Sequence, residues 1–234
     1  MPYLDIATME KIAERVLRAY WKLPSAQETP WYVDPDLLLT DLLDLSIVFR
    51  RLSGDGMTLG MTSFEEMEIE LPDCVPGEMV QLDGKTVLIE KELANNSEKI
   101  GRRNYTVMHE GSHHILNMLF PGEYGGGGKA RNVIKYRVTK HKAKRNTEEW
   151  QVDKLASFLL MPEELLKKNM TLVGLPDQLD YLNPVWRRRE FERFTWLAEL
   201  MGVSKQALSY RMLQLGLLRE DQRTHPNTLV EIWR

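Results

Sequence analysis

The chain has 234 residues, 43% hydrophobic and 28% charged, with a formal net charge of −3 and one cysteine, Cys74. Such a length and balance suit a globular protein that buries a core without staples. The charge argues against a nucleic-acid binder over the whole surface, and a lone cysteine excludes an internal disulfide or a Cys-rich zinc cluster. The opening stretch carries Asp5, Glu10, Lys11, Glu14 and Arg15, and no run approaches the ~18 apolar residues of a membrane span, so the expectation is a soluble cytoplasmic protein.

Ile6, Met9, Ile12, Ala13, Val16, Leu17 and Tyr20 recur at three- and four-residue steps, which predicts an amphipathic helix over 6–20. Pro24 and Pro30-Trp31 are expected to break it. Asp34 as N-cap with Pro35 at the first helical position starts a second helix, carrying Leu37, Leu38, Leu42 and Leu45 and ending before Val48. Between 48 and 92 short runs alternate with turn residues: Met57–Thr62, Met79–Leu82 and Lys85–Glu90. They predict a small twisted sheet of about three strands, with Asp83-Gly84 as a hairpin turn.

The next segment, Arg103 to Phe120, reads as a helix and contains His109-Glu110-Gly111-Ser112-His113, an H-E-x-x-H pentapeptide. Four residues is slightly more than one helical turn, so both imidazoles point to the same side and can share one Zn²⁺ while the glutamate leans over the site. His114 sits about 100° further round and faces away. A catalytic zinc normally takes a third protein ligand. The helix starting near Thr147 offers Glu148, Glu149 and Asp153, and His141 is a further option; periodicity does not choose among them. Small residues at Gly111 and Ser112 suit a close helix approach. Trp150 and Phe158 read as core or interface aromatics.

Pro121-Gly122 stops the motif helix, and Gly125–Gly128 form a flexible tract. From Lys129 to Arg145 come eight Lys/Arg and no acid, with an extended portion at Ile134–Val138. This tract reads as a solvated face, as a surface for a protein segment added as a strand, or as a nucleic-acid contact. The helix from Thr147 runs to Leu160, and Pro162-Glu163-Glu164 opens another. Two last helices occupy about Arg187–Met201 and Ser204–Leu215. Gly202 makes the turn between them, Val203 anchors it and Ser204 caps the second, as in a helix-turn-helix. Lys205, Gln206, Ser209, Tyr210 and Arg211 would then stand where DNA readers make contacts. The plainer reading is packing through Leu197, Leu200, Leu208, Met212 and Leu215.

The stretch Asn104-Tyr105-Thr106-Val107-Met108-His109-Glu110-Gly111-Ser112-His113-His114-Ile115-Leu116, followed by Glu148 through Leu159-Leu160-Met161-Pro162, resembles the ImmA/IrrE family of metallopeptidases. That pattern reads Phe-Thr-x-x-His-Glu-x-x-His, then Glu-x-x-Ala-Asn/Asp-x-Phe-Ala-x-x-Leu-Leu-Met-Pro. Here Tyr105, Val152 and Leu155 replace its Phe, Ala and Phe, as core substitutions expected to leave the chemistry intact. The resemblance covers about residues 6–218 and is strongest over 104–162; the C-terminal Val203-Ser204, Ala207-Leu208 and Arg211 belong to it. It implies an α+β, mostly helical, zincin-like core over 1–180, a helix-turn-helix-like segment over 181–222, and a tail over 223–234. It implies one zinc held by His109, His113 and Glu149, with Glu110 as general base; Mn²⁺ or Fe²⁺ are alternatives for the metal. It also implies narrow endopeptidase activity on a DNA-binding helix-turn-helix repressor, relieving repression of a stress regulon or mobile element. Direct DNA contact is the minor reading. The competing expectation is a DNA-binding or repressor-sequestering regulator whose metal site does no chemistry. For the oxyanion donor, Tyr124, Tyr136, Arg137 and His141 stand open.

Overall fold

Asp5 starts the first helix by accepting the Thr8 amide at 2.7 Å, and α1 (Ile6–Tyr20) buries Met9, Ile12, Ala13, Leu17 and Tyr20 along one stripe, as its periodicity predicts. The computed structural model describes residues 3–121, 123, 133–137 and 147–223. The Gly125–Gly128 tract, Tyr124, His141, most of the basic tract and residues 224–234 lie outside the described residues.

Pro24 does more than interrupt. It occupies the first turn of α2 (Pro24–Glu28), where a missing N–H leaves no bond unmade. Asp34 caps α3 (Pro35–Leu37) through the Asp36 and Leu37 amides, and a π-type turn over Leu38–Leu42 extends it. The remaining elements are β1 (Ser46–Arg50), β2 (Thr58–Ser63), β3 (Glu66–Ile69), β4 (Val80–Asp83), β5 (Thr86–Glu90), α4 (Ile100–Leu119), β6 (Val133–Arg137), α5 (Thr147–Leu160), α6 (Glu163–Leu172), β7 (Leu179–Leu182), α7 (Arg188–Leu200), α8 (Lys205–Gln214) and β8 (Leu218–Asp221).

The class is α+β, but the strands exceed the expected three. Five lie between residues 46 and 90, split between a four-stranded mixed sheet ordered β1-β5-β2-β6 and a separate β3-β4 pair. β1 runs parallel to β5; β2 is antiparallel to both β5 and β6. Asp83-Gly84 forms its turn without making the expected hairpin. Asp83 accepts the Lys85 amide at 2.9 Å and the Thr86 hydroxyl at 2.8 Å, and Gly84 has φ 75°. Yet β4 pairs with β3, because both edges of β5 are already taken by β1 and β2. Central position suits β5, whose Val87, Leu88 and Ile89 are all buried.

The helix α4 lies against β2 and β5 on one side and α5 on another, and α5 in turn packs on α1. Every residue of β2 is buried, so this layer is the floor of the molecule's centre. At the C-terminal end Leu197, Ala198, Met201, Val203, Leu208 and Met212 join the same core cluster as α1, α4 and α5. Leu215 packs at its margin and Leu200 is half-buried. Gly202 (φ 61°) makes the turn, and Ser204 Oγ accepts the Ala207 amide, as expected from the sequence. The short parallel pair β7-β8 closes around these helices. No described helix is long and apolar enough to cross a membrane.

Candidate metal centre

One turn of α4 separates His109 from His113. Both side chains are fully buried, and their ring centroids stand 5.0 Å apart. The helix α5 crosses them and brings Glu149, with Oε2 3.3 Å from His109 Nε2 and Oε1 3.8 Å from His113 Nε2. One ligand atom from each of the three lies within 4.8 Å of the others, a group that could hold a metal ion. Tetrahedral ligands at about 2.1 Å stand about 3.4 Å apart, so the spacing suits a zinc-sized centre.

Unmet polar atoms point the same way. His109 Nε2, both ring nitrogens of His113 and both carboxylate oxygens of Glu110 are buried without a hydrogen-bond partner among the described residues. At 3.3 Å the Glu149 oxygen is near enough to act electrostatically on His109 Nε2, but it is not aligned as a hydrogen bond. Unpartnered buried polar groups each cost on the order of 1–3 kcal/mol, so a cluster of them needs an explanation, and an ion would account for the two Nε2 atoms. Two imidazoles and a carboxylate form a donor set that fits zinc.

The structure also separates the carboxylates that spacing left together. Asp153 sits behind His109: its Oδ1 is 3.0 Å from Nδ1, on the side away from the cluster. Glu148 comes no nearer than 3.9 Å to His113 Nδ1. Of the three, Glu149 alone joins both imidazoles. His114 faces β2, as its angular position predicts: Nε2 is 2.6 Å from the Thr62 hydroxyl and the ring stacks edge-on with Phe64. Burial lowers its pKa to about 4, so it is neutral near pH 7.

Charge within the cluster is uneven. For His109 burial works against the protonated form, yet Asp153 and Glu149 outweigh it and lift the pKa to about 10. His113 lies well below the ordinary imidazole value through burial and the neighbouring His109 charge. Burial raises Glu110 to about 8, with His109 opposing and Glu149 assisting. The Glu110 carboxylate lies against Gly60 of β2 so closely that a Cβ there would overlap its Oε1.

Strand β6 roofs the site. Tyr136, in register with Gly60, places its ring 4.2 Å from that of His109. Burial, followed by the charges of Asp153, Glu110 and Glu149, pushes its phenol pKa upward, so it remains a proton donor. Among the described residues it is the oxyanion candidate placed at the cluster; Tyr124 and His141 lie outside them, and the Arg137 side chain is not described.

Tyr105 has a role that its reading as a core substitution missed. Its hydroxyl shares its one proton between Asp153 Oδ1 at 3.0 Å and the Asp153 carbonyl at 3.2 Å. The signal was available: Tyr105 and Asp153 each lie one helical turn from a proposed ligand, His109 and Glu149. Gly60 offered no such signal, since 50 residues separate it from Glu110. Phe158 is buried as expected, whereas Trp150 is only half-buried and stacks parallel to Tyr3. Gly111 and Ser112 fit the close approach expected of them, with a Cβ on Gly111 falling 2.5 Å from the Leu39 side chain.

The residues singled out for DNA readout divide. Lys205, Gln206 and Tyr210 are exposed. Arg211 is buried and bonds the Met161 carbonyl and Glu10, while buried Ser209 accepts from Arg223. Two of the five therefore point inward.

A scan against protein-family models finds no match, and a search of curated proteins finds none either.

Proposed function

We propose that this chain is a zinc-dependent endopeptidase of the ImmA/IrrE kind, acting on a folded or partly folded helix-turn-helix repressor. The observation that carries this reading is the convergence of His109, His113 and Glu149 beside a buried, unpartnered Glu110. A mixed sheet against α4, with the third ligand on the helix that follows, supports a zincin-like unit over 1–180. Mn²⁺ or Fe²⁺ remain alternatives at a His₂Glu site.

A bound zinc supplies Lewis acidity and brings the pKa of water toward 7. The protein's own groups do the rest. The Glu110 carboxylate takes a proton from the attacking water and passes it to the departing amine. Positive charge in the cluster would favour its ionised form, which burial alone disfavours. The Tyr136 hydroxyl is the candidate donor to the oxyanion. Asp153 holds the Nδ1 side of His109, and Glu149 stands at the Nε2 side as the third ligand. A substrate segment can be accommodated as an added strand along β6, the edge of the four-stranded sheet, which lies within the basic tract 129–145. Specificity then depends on such surfaces, and general proteolysis is expected to be low.

The inward direction of Ser209 and Arg211 weighs against a primary role in DNA reading. Metal analysis of the purified protein comes first, followed by incubation with a candidate repressor and mass spectrometry. Discrete fragments from the wild type and none from Glu110→Gln support the proposal. An intact repressor mass in a stable complex, with zinc present, overturns it in favour of sequestration.

A further inference from the structure

We propose that Tyr105 is a positioning residue of the metal centre: its hydroxyl anchors the Asp153 carboxylate against His109 Nδ1, which keeps His109 Nε2 available to an ion. The inference rests on the metal-binding part of the reading above and extends it to a residue outside the ligand set.

Two groups meet at one carboxylate oxygen. Tyr105 donates to Asp153 Oδ1 at 3.0 Å, and His109 Nδ1 lies 3.0 Å from the same atom. The second Tyr105 contact, to the Asp153 carbonyl at 3.2 Å, ties the phenol to the backbone of α5 as well. Asp153 needs such an anchor because its side chain is 46% exposed, whereas the His109 ring it must hold is fully buried. A carboxylate with water on one side can turn away from its partner. Tyr105 is packed against the core, so its ring cannot follow.

The competing arrangement gives this anchor its value. Glu149 Oε2 already approaches His109 Nε2 to 3.3 Å. If Nδ1 lost its acceptor, the ring would be free to turn and keep its Nε2 proton against Glu149. Two of the three ligand atoms would then satisfy each other and close the centre to an ion. With Asp153 held in place, the proton on Nδ1 stays where it is and the one an ion displaces is that on Nε2, the general device by which a second carboxylate orients a ligating imidazole. Tyr105 and Asp153 lie on different helices, so the bond also fixes the α4–α5 spacing on which the ligand separations depend.

The test is a Co²⁺ titration followed by visible absorption, with chelator-driven cobalt release as a second readout, on wild type, Tyr105→Phe, Asp153→Ala and the double variant. Asp153→Ala is expected to weaken cobalt binding about 10–100-fold. Tyr105→Phe, which keeps the ring and loses one hydrogen bond, is expected to weaken it about 3–10-fold and to speed release. In the Asp153→Ala background the Phe substitution should add nothing, since the hydroxyl acts through that carboxylate. Equal affinity of wild type and Tyr105→Phe overturns the inference while leaving the metal centre intact. An equal loss in both backgrounds also overturns it, because the tyrosine would then act by packing. Absence of cobalt uptake by the wild type removes the centre itself, and this inference with it.

Discussion

Two buried polar groups on neighbouring helices behave in opposite ways. Arg211 of α8 is 3% exposed, yet it is closed on itself: its Nε bonds the Met161 carbonyl at 3.1 Å, its Nη1 reaches Glu10 at 3.3 Å, and its plane lies 4.3 Å over the Phe158 ring. His109, Glu110 and His113 of α4 are equally buried and leave five polar atoms without a hydrogen-bond partner among the described residues. A satisfied polar group joins elements; an unsatisfied cluster waits for something. This contrast separates structural from chemical burial here, and it makes the two sites respond differently to substitution.

The largest expected effect is at Glu110. Glu110→Gln keeps the shape and removes the proposed base, so cleavage of the repressor proposed as substrate should fall about 10²–10⁴-fold with zinc stoichiometry unchanged. Loss of zinc together with activity would erase the distinction between ligand and base. Gly60→Ala attacks the same carboxylate from β2, where the added methyl displaces Glu110. Cleavage should drop by up to about 10²-fold while cobalt affinity stays near the wild-type value, checked on the same preparation.

Arg211→Met should act on stability instead. The Met161 carbonyl loses its partner and the stacking on Phe158 is lost, a cost of about 2–3 kcal/mol in denaturant unfolding. The pairing with half-exposed Glu10 adds little to this. Cobalt affinity should not move; a change of several-fold would mean that the two regions are coupled.

The smallest effect, taken per unit of pH, is a pH dependence. With a pKa of about 10, His109 is protonated near neutrality in the metal-free protein, and an ion must displace that proton. Metal affinity should therefore rise by up to about tenfold per pH unit between pH 6 and 8. The raised pKa also implies that the charged ring stabilises the metal-free fold fully below about 6.5, and that this contribution fades as pH approaches 10. Glu110, raised to about 8, acts in the same direction, since its neutral form is favoured in the fold and lost as pH climbs from 4.5. Thermal unfolding of metal-free and zinc-loaded protein should diverge with rising pH, and parallel curves would contradict the assignment.

Helices α1, α4 and α5 were legible from their apolar stripes, and Asp34-Pro35 and Ser204 marked the starts of α3 and α8; the helix expected to carry Leu45 and end before Val48 instead stops at Leu42, and β1 begins at Ser46. Strands were harder. β1, β7 and β8 have four or five residues of mixed exposure, too few for alternation to register, and β7 pairs with a strand that follows two intervening helices. The Asp83-Gly84 turn was read correctly as a turn and wrongly as a hairpin, because local chemistry sets the bend while competition for the edges of β5 sets the partner. In the site, the imidazole pair follows from helical spacing alone. Choosing Glu149 over Glu148 and Asp153 required resemblance, since all three sit within one turn and a half of α5. The crossing of α4 and α5 now gives each acid a different neighbour.

The turn between α7 and α8 has a practical consequence. Asn104 of α4 donates to the Gly202 carbonyl at 2.9 Å, and Gly101 lies so near Val203 and Ser204 that a side chain there would strike their backbone. The last helices are thus wedged against the same rod that carries both imidazoles, and cutting the gene between them would expose that rod's first turns to water. Dissection of this chain belongs to single-residue exchange, since neither half is shaped to stand apart.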